Sequence, residues 1–98
     1  MEQLAERSFQ DVVLALLRER GWSQKHLART ACVDPGFLCR VLGNRSGVSA
    51  ELASRVAVEL ELPPDFFAEY REREVIQAIR SDPVLRDRVY EALRRDRS

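Results

Sequence analysis

An all-α fold of about five helices, with one further helix appended at the C-terminus, is what this 98-residue sequence predicts. Three observations carry that prediction. Apolar residues recur at intervals of three and four, which gathers them on one face of a helix. Strand-like alternation is hard to find, and glycine and proline are scarce, at four each. Small polar residues and Asp-Pro pairs stand just ahead of the apolar runs, where helices begin. The length suits one domain with a short appendage. A 45% apolar and 33% charged composition fits a folded, helix-rich chain and argues against disorder.

The first periodic segment is Phe9–Arg20, with Phe9, Val12, Val13, Leu16 and Leu17 on one face. Gly21 follows as the left-handed residue that commonly closes a helix. Ser23 then reads as the N-cap of a second helix, whose first turn is Gln24, Lys25 and His26. Leu27, Ala28 and Ala31 form its apolar side, with Trp22 just outside. Asp34–Pro35 starts a third helix: the carboxylate accepts from a free backbone N–H, and proline at the first helical position forfeits no hydrogen bond. Phe37, Leu38, Val41 and Leu42 are its inner face, and "GNRSG" at 43–47 ends it. Ser49 caps a fourth helix with Leu52, Ala53, Val56, Ala57 and Leu60 inward. After the break "LPPD", a fifth helix is expected from about Asp65 to Arg80, using Phe66, Phe67, Tyr70, Val75, Ile76 and Ile79. Asp82–Pro83 repeats the start signal for a last helix carrying Leu85, Val89, Tyr90 and Leu93.

Function classes narrow quickly. No apolar run approaches the roughly 20 residues that span a bilayer, and "MEQLAERSFQ" is too charged for the apolar core of a signal peptide. Two cysteines, Cys32 and Cys39, are too few for a disulfide framework, so a reducing cytosol is the expected compartment. A Cys-x6-Cys pair with the single His26 lacks a fourth ligand and has no zinc spacing, which makes small packing residues the better reading. Ser23 and Ser49 read as caps, and no acid–base or nucleophile constellation accompanies them, so no enzyme and no cofactor are expected.

Net charge is zero, but its distribution is uneven. Residues 18–47 carry Arg18, Arg20, Lys25, Arg29, Arg40 and Arg45 against Glu19 and Asp34, a local +4. Residues 48–74 hold three Arg against seven acids, and the tail from Val75 holds six Arg against four. A local field steers a charged partner more than the total does.

The basic stretch coincides with "WSQKHLARTACVDPGFLCRVLGN", in which two short amphipathic runs flank a break at Ala31–Cys32–Val33–Asp34. Each run is too short to be stable alone. Two such helices across a tight turn, leaning on a preceding helix, form a helix-turn-helix. That packing needs a small residue where the helices touch, supplied by Ala28, and an apolar one after the turn, supplied by Val33. Leu38 and Val41 lie inward on the second helix, holding it proud of the surface where it can enter a DNA major groove.

At these residues the sequence resembles the family of phage repressor, Cro and related XRE-type bacterial transcriptional regulators. The resemblance runs from about Val13 to Phe67, on "ALLRERGWSQKHLARTACVDPGFLCRVLGNR" and "LASRVAVELELPPDFF". It implies a lambda-repressor-like helix-turn-helix bundle, here residues 1–71; beyond the resemblance, 72–98 reads as a helical extension whose apolar surface points to dimerisation. It implies a sequence-specific regulator of double-stranded DNA, most often a repressor, acting as a homodimer in the bacterial cytosol or encoded by a phage. Base contacts fall to Arg40, Gly36 and Pro35, and phosphate contacts to Gln24, Lys25, Arg29 and Arg45.

Three departures from the family pattern shape these expectations. Pro35 and Gly36 offer no side-chain hydrogen bond, which leaves Arg40 as the main reader, able to grip guanine O6 and N7 with a bidentate fork; DNA shape would supply further specificity. The positions of a common Arg–Glu pair are Leu17 and Leu42, expected to touch without a desolvation cost. The usual turn glycine is Cys32, expected at positive φ. Asp34 repels phosphate unless its charge is committed to capping.

The C-terminal third holds more apolar surface than a core of short helices needs. Either the last helices fold back and enlarge that core, or part of the surface joins two copies. The expectation is a symmetric dimer through Phe66, Tyr70, Val75, Ile79, Leu85, Val89 and Leu93. The alternative function is a protein-binding adaptor that keeps the helix-turn-helix fold, or an antitoxin between the two, binding operator DNA with one surface and a toxin with another.

Overall fold

A computed structural model describes residues 8–97. Among these it is all-helical, with six helices and no strand. The charged opening segment up to residue 7, which argued against a signal peptide, lies outside the described residues. No helix among those described is long and apolar enough to cross a membrane.

The helices are α1 (Phe9–Arg20), α2 (Gln24–Thr30), α3 (Pro35–Leu42), α4 (Ala50–Glu59), α5 (Ala68–Ser81) and α6 (Pro83–Arg97). Side-chain oxygens set most of the starts by accepting from the free N–H groups of a first turn. Ser8 takes the Asp11 N–H at 3.1 Å, Ser23 that of His26 at 3.0 Å, and Ser49 that of Leu52 at 3.1 Å. Asp34 takes the Phe37 N–H at 2.8 Å, and Asp82 takes those of Val84 and Leu85 at 3.1 Å each. Gly21 closes α1 at φ 67°, with its N–H on the Arg18 carbonyl. After α3 the left-handed residue is Asn44, at φ 64°, and not one of the flanking glycines.

The core is built by α1 to α4 and the loop that follows. Phe9, Val12, Val13 and Leu17 meet Leu27 and Ala28 of α2, Leu38, Val41 and Leu42 of α3, and Leu52, Ala53, Val56 and Ala57 of α4 in one buried cluster. Leu17 and Leu42 are both members of it, as their apolar character requires. α2 packs on α3 and α4, and α3 packs on α1. Arg20 joins the far ends: its guanidinium donates to the Leu60 carbonyl at 2.8 Å, pairs with Glu61 at 3.4 Å and lies over the Trp22 ring at 5.4 Å.

Two expectations and one weighed alternative are corrected. α5 begins at Ala68 and not near Asp65, because the two prolines turn the chain first. The Phe66 N–H bonds the Pro63 carbonyl at 3.0 Å, and Phe67 is extended at φ −86°, ψ 143°. Phe66 and Phe67 are therefore not part of α5's inner face. Phe67 sits edge-on to Phe9 at 4.7 Å and closes the core, with Phe66 half-buried against it at 5.2 Å. Second, α5 and α6 do not enlarge that core: α5 packs on α4 and α6 on α5, yet neither helix has a buried residue. Third, Cys32 and Cys39 are exposed and so are not packing residues. Cys32 occupies the turn at φ 57°, the left-handed conformation expected there, which turns its side chain off the core. Cys39 falls on the outward side of α3, and Phe37, assigned to the inner face, is only half-buried at the core's edge.

Neighbouring residues on opposite faces of α3 should report its docking. Leu38→Ala should cost about 2–5 kcal/mol by opening a cavity, whereas Cys39→Ala should stay within about 0.5 kcal/mol. Urea denaturation of the two variants measures both, and equal losses would be incompatible with this packing.

Candidate nucleic-acid interface

The face that α3 turns away from the core is made of Pro35, Gly36, Cys39 and Arg40, all exposed. The same eight-residue helix buries Leu38, Val41 and Leu42. Four residues, Ala31 to Asp34, separate it from α2. The turn is held by backbone bonds from the Ala31 N–H to Leu27 at 2.9 Å and from the Val33 N–H to Ala28 at 2.8 Å. Arg55 of α4 adds a long contact to the Cys32 carbonyl at 3.5 Å, while pairing with Glu51 at 2.9 Å.

Arg40 reaches back along α3 toward its N-terminus, the direction long helical side chains take. Its guanidinium lies 5.9 Å from the centroid of the Phe37 ring. A Cβ on Gly36 would stand 3.7 Å from Arg40 Nη1 and 3.2 Å from Asp34 Oδ2. A Cβ there would crowd the Asp34 carboxylate but meet the guanidinium only in ordinary contact, which places the guanidinium near the start of α3, where a helix entering a groove comes closest to base edges. The Asp34 carboxylate beside it is occupied by the Phe37 N–H.

The other residues expected to contact phosphate lie on the neighbouring α2 and the loop after α3. Lys25 and Arg29 are exposed on α2, Arg45 is exposed in the loop after α3, and Gln24 is half-buried at the start of α2. None of Lys25, Arg29, Arg40 or Arg45 has an ion-pair partner among the described residues. By contrast, Arg20, Arg55, Arg73, Arg86 and Arg94 each pair with a carboxylate.

Pattern reading overlooked two residues that hold this face. Gln10 of α1 donates its amide N–H to the Val41 carbonyl at 3.2 Å and reaches Asn44 Oδ1 at 3.5 Å. It satisfies a carbonyl at the end of α3 and steadies the loop that carries Arg45. A polar residue on the rim of an amphipathic helix gives no sequence signal for a partner 31 positions away. Arg55 is the other, and its i,i+4 spacing from Glu51 is the only signal it offers.

The residues expected at a dimer interface do not share one environment. Phe66 is taken up by its own core, and Tyr70 is half-buried beneath Arg73, whose guanidinium is 5.1 Å from its ring. Ile79, Leu85 and Val89 are half-buried, whereas Val75 and Leu93 are 56% and 48% exposed. No protein-family model, curated protein or solved structure matches the chain.

The capping role of Asp34 is separable from its charge. Asp34→Ala should lower stability by about 1 kcal/mol, and Asp34→Ser, which keeps an acceptor, by only a few tenths. Thermal or urea unfolding would decide, and matching losses in the two variants would refute the cap.

Proposed function

We propose that this chain is a helix-turn-helix regulator of the lambda-repressor type that binds double-stranded DNA as a homodimer, most simply as a repressor. The observation that carries the reading is α3 itself. It is anchored by Leu38, Val41 and Leu42 while Pro35, Gly36 and Arg40 are exposed, and Lys25, Arg29 and Arg45 on the neighbouring elements are exposed without an ion pair among the described residues.

In this reading α3 enters the major groove. Gly36 has no side chain and Pro35 only a compact apolar ring, so the start of the helix can approach base edges closely. Arg40 supplies the planar fork that matches guanine O6 and N7, a contact worth about 1–3 kcal/mol of discrimination. Lys25 and Arg29 from one side and Arg45 from the other neutralise phosphates, with Gln24 donating a further hydrogen bond at the start of α2. Because Asp34 is engaged with the Phe37 N–H, its charge opposes the phosphates less than a free carboxylate would. The reading gives the chain no catalytic step and no cofactor.

The composition of the outward face favours one second reading. Pro35, Gly36 and Cys39 leave Arg40 as its single strongly hydrogen-bonding side chain on α3. A face so poor in polar groups also suits an adaptor or antitoxin that docks a protein. Salt separates the two, since phosphate contacts release counterions and make DNA affinity fall steeply with ionic strength.

Selection of duplexes from a random pool at moderate salt should enrich an inverted repeat with half-sites about one helical turn apart. On the selected site, Arg40→Ala should weaken binding by about 1–3 kcal/mol while affecting random duplex far less, and Arg29→Ala should weaken both alike. Recovery of no sequence above background would favour the adaptor. An Arg40→Ala protein with undiminished preference for the site would remove the base-reading role.

A further inference from the structure

We infer that the outer face of α5 is a self-complementary seam through which two copies pair antiparallel, crossing between Arg71 and Glu72. The inference rests on the dimeric part of the function proposed above and assigns it a surface.

Helices of 14 and 15 residues are marginal in water when they have no buried face. α5 and α6 contain no buried residue, and they leave Val75, Ile76, Val84, Tyr90 and Leu93 between 43% and 64% exposed. Apolar exposure concentrated on two adjoining helices marks a contact surface. What identifies the occupant is the pattern on α5. Ala68, Arg71, Glu72 and Val75 stand at i, i+3, i+4 and i+7, on one side of the helix. With Ile76 they line a shallow groove of 430 Å³. All four are exposed, and neither Arg71 nor Glu72 has an ion pair among the described residues.

Reversing this set of four gives its complement. A two-fold axis through the point between positions 71 and 72 sets Arg71 opposite Glu72 of the partner and Ala68 opposite Val75 of the partner, each pair occurring twice. With a rise of about 1.5 Å per residue, the Ala–Val contacts fall about 5 Å to either side of the crossing. Valine then enters the notch left by alanine, and opposite charges meet at the centre. A two-fold contact demands that residue i meet j while j meets i. A foreign partner imposes no such antisymmetry of both size and charge on one helix face, whereas a second copy does. Val75 belongs to the interface expected from sequence, but the seam centres on Ala68–Val75 and leaves Phe66 to the monomer core.

The test is a charge swap read by sedimentation equilibrium of the full chain without DNA. The wild type should be a dimer. Arg71→Glu sets two carboxylates against each other at the crossing, Glu72→Arg two guanidiniums, and each should weaken dimerisation roughly tenfold or more because the clash occurs twice. The doubly substituted Arg71→Glu/Glu72→Arg protein restores opposite pairs and should recover wild-type self-affinity to within about threefold. Circular dichroism should show the same helix content in all three variants, since both positions are exposed. A monomeric wild type overturns the inference, as do single reversals that leave the dimer intact or a double variant that stays dissociated. A dimer broken by Leu93→Asp but indifferent to positions 71 and 72 would put the seam on α6 and overturn it too. Because no DNA is present, a monomer that still selects a duplex would fail this inference and spare DNA binding; a swap-sensitive dimer with no duplex preference would do the reverse.

Discussion

Helices of seven and eight residues do not persist in water by themselves, and α2 and α3 exist because a shared core holds them. The contact on which the rest depends is Leu27 and Ala28 of α2 against Leu38 and Val41 of α3, all fully buried. Ala28 is small enough to let the helices approach, and Val33, half-buried after the turn, seals the angle between them. α1 and α4 supply the opposing walls through Val12, Val13, Val56 and Ala57. Since so few residues of α3 face inward, its orientation is set by a handful of contacts. Every outward residue inherits its position from them.

Electrostatics follow from that orientation. A net charge of zero conceals a basic face, because the acids are spent elsewhere: Glu51 on Arg55, Glu61 on Arg20, and Asp34 on the first turn of α3. Exposed ion pairs contribute little to stability, typically under about 1 kcal/mol. Their larger consequence here is local: with Glu51 and Glu61 so engaged, Lys25, Arg29, Arg40 and Arg45 are left without an ion pair among the described residues.

The faces of α1 to α4 were legible in the sequence because burial repeats with the helical period. The caps of α2, α3, α4 and α6 were legible because Ser23, Asp34, Ser49 and Asp82 precede their runs at the right distance, whereas the Ser8 cap of α1 went unread. Legibility failed where the determinant was not periodic. Nothing in "PPDFF" distinguishes a helix starting at Asp65 from one starting at Ala68; the Phe66-to-Pro63 bond and the edge-on contact of Phe67 with Phe9 decide it. The cysteines read as small apolar residues, yet one is displaced by a left-handed backbone and the other by helical phase. Arg40, Lys25, Arg29 and Arg45 were legible as cations but not as unpaired ones, since pairing depends on neighbours distant in sequence. Gln10 was invisible for the same reason.

The C-terminal helices pose the remaining physical question, which is what stabilises them. Packing of α6 on α5 and of α5 on α4 half-buries Ile79, Leu85 and Val89. That is a thin return for ordering nearly thirty residues when each costs about 1–2 kcal/mol in backbone entropy. Association adds burial without adding chain. If two copies cross at α5, each seam side chain is covered by the other copy, and the entropy of ordering α5 is offset by both subunits' contacts. The same crossing fixes the distance between the two copies of α3, because α5 packs on α4 and α4 on α2 through the common core. Dimer geometry and half-site spacing would then be one property of the chain, set by how α5 meets its twin. On the DNA-binding reading proposed above, a change at positions 71 and 72, remote in sequence from any proposed base contact, would alter which DNA the pair can span.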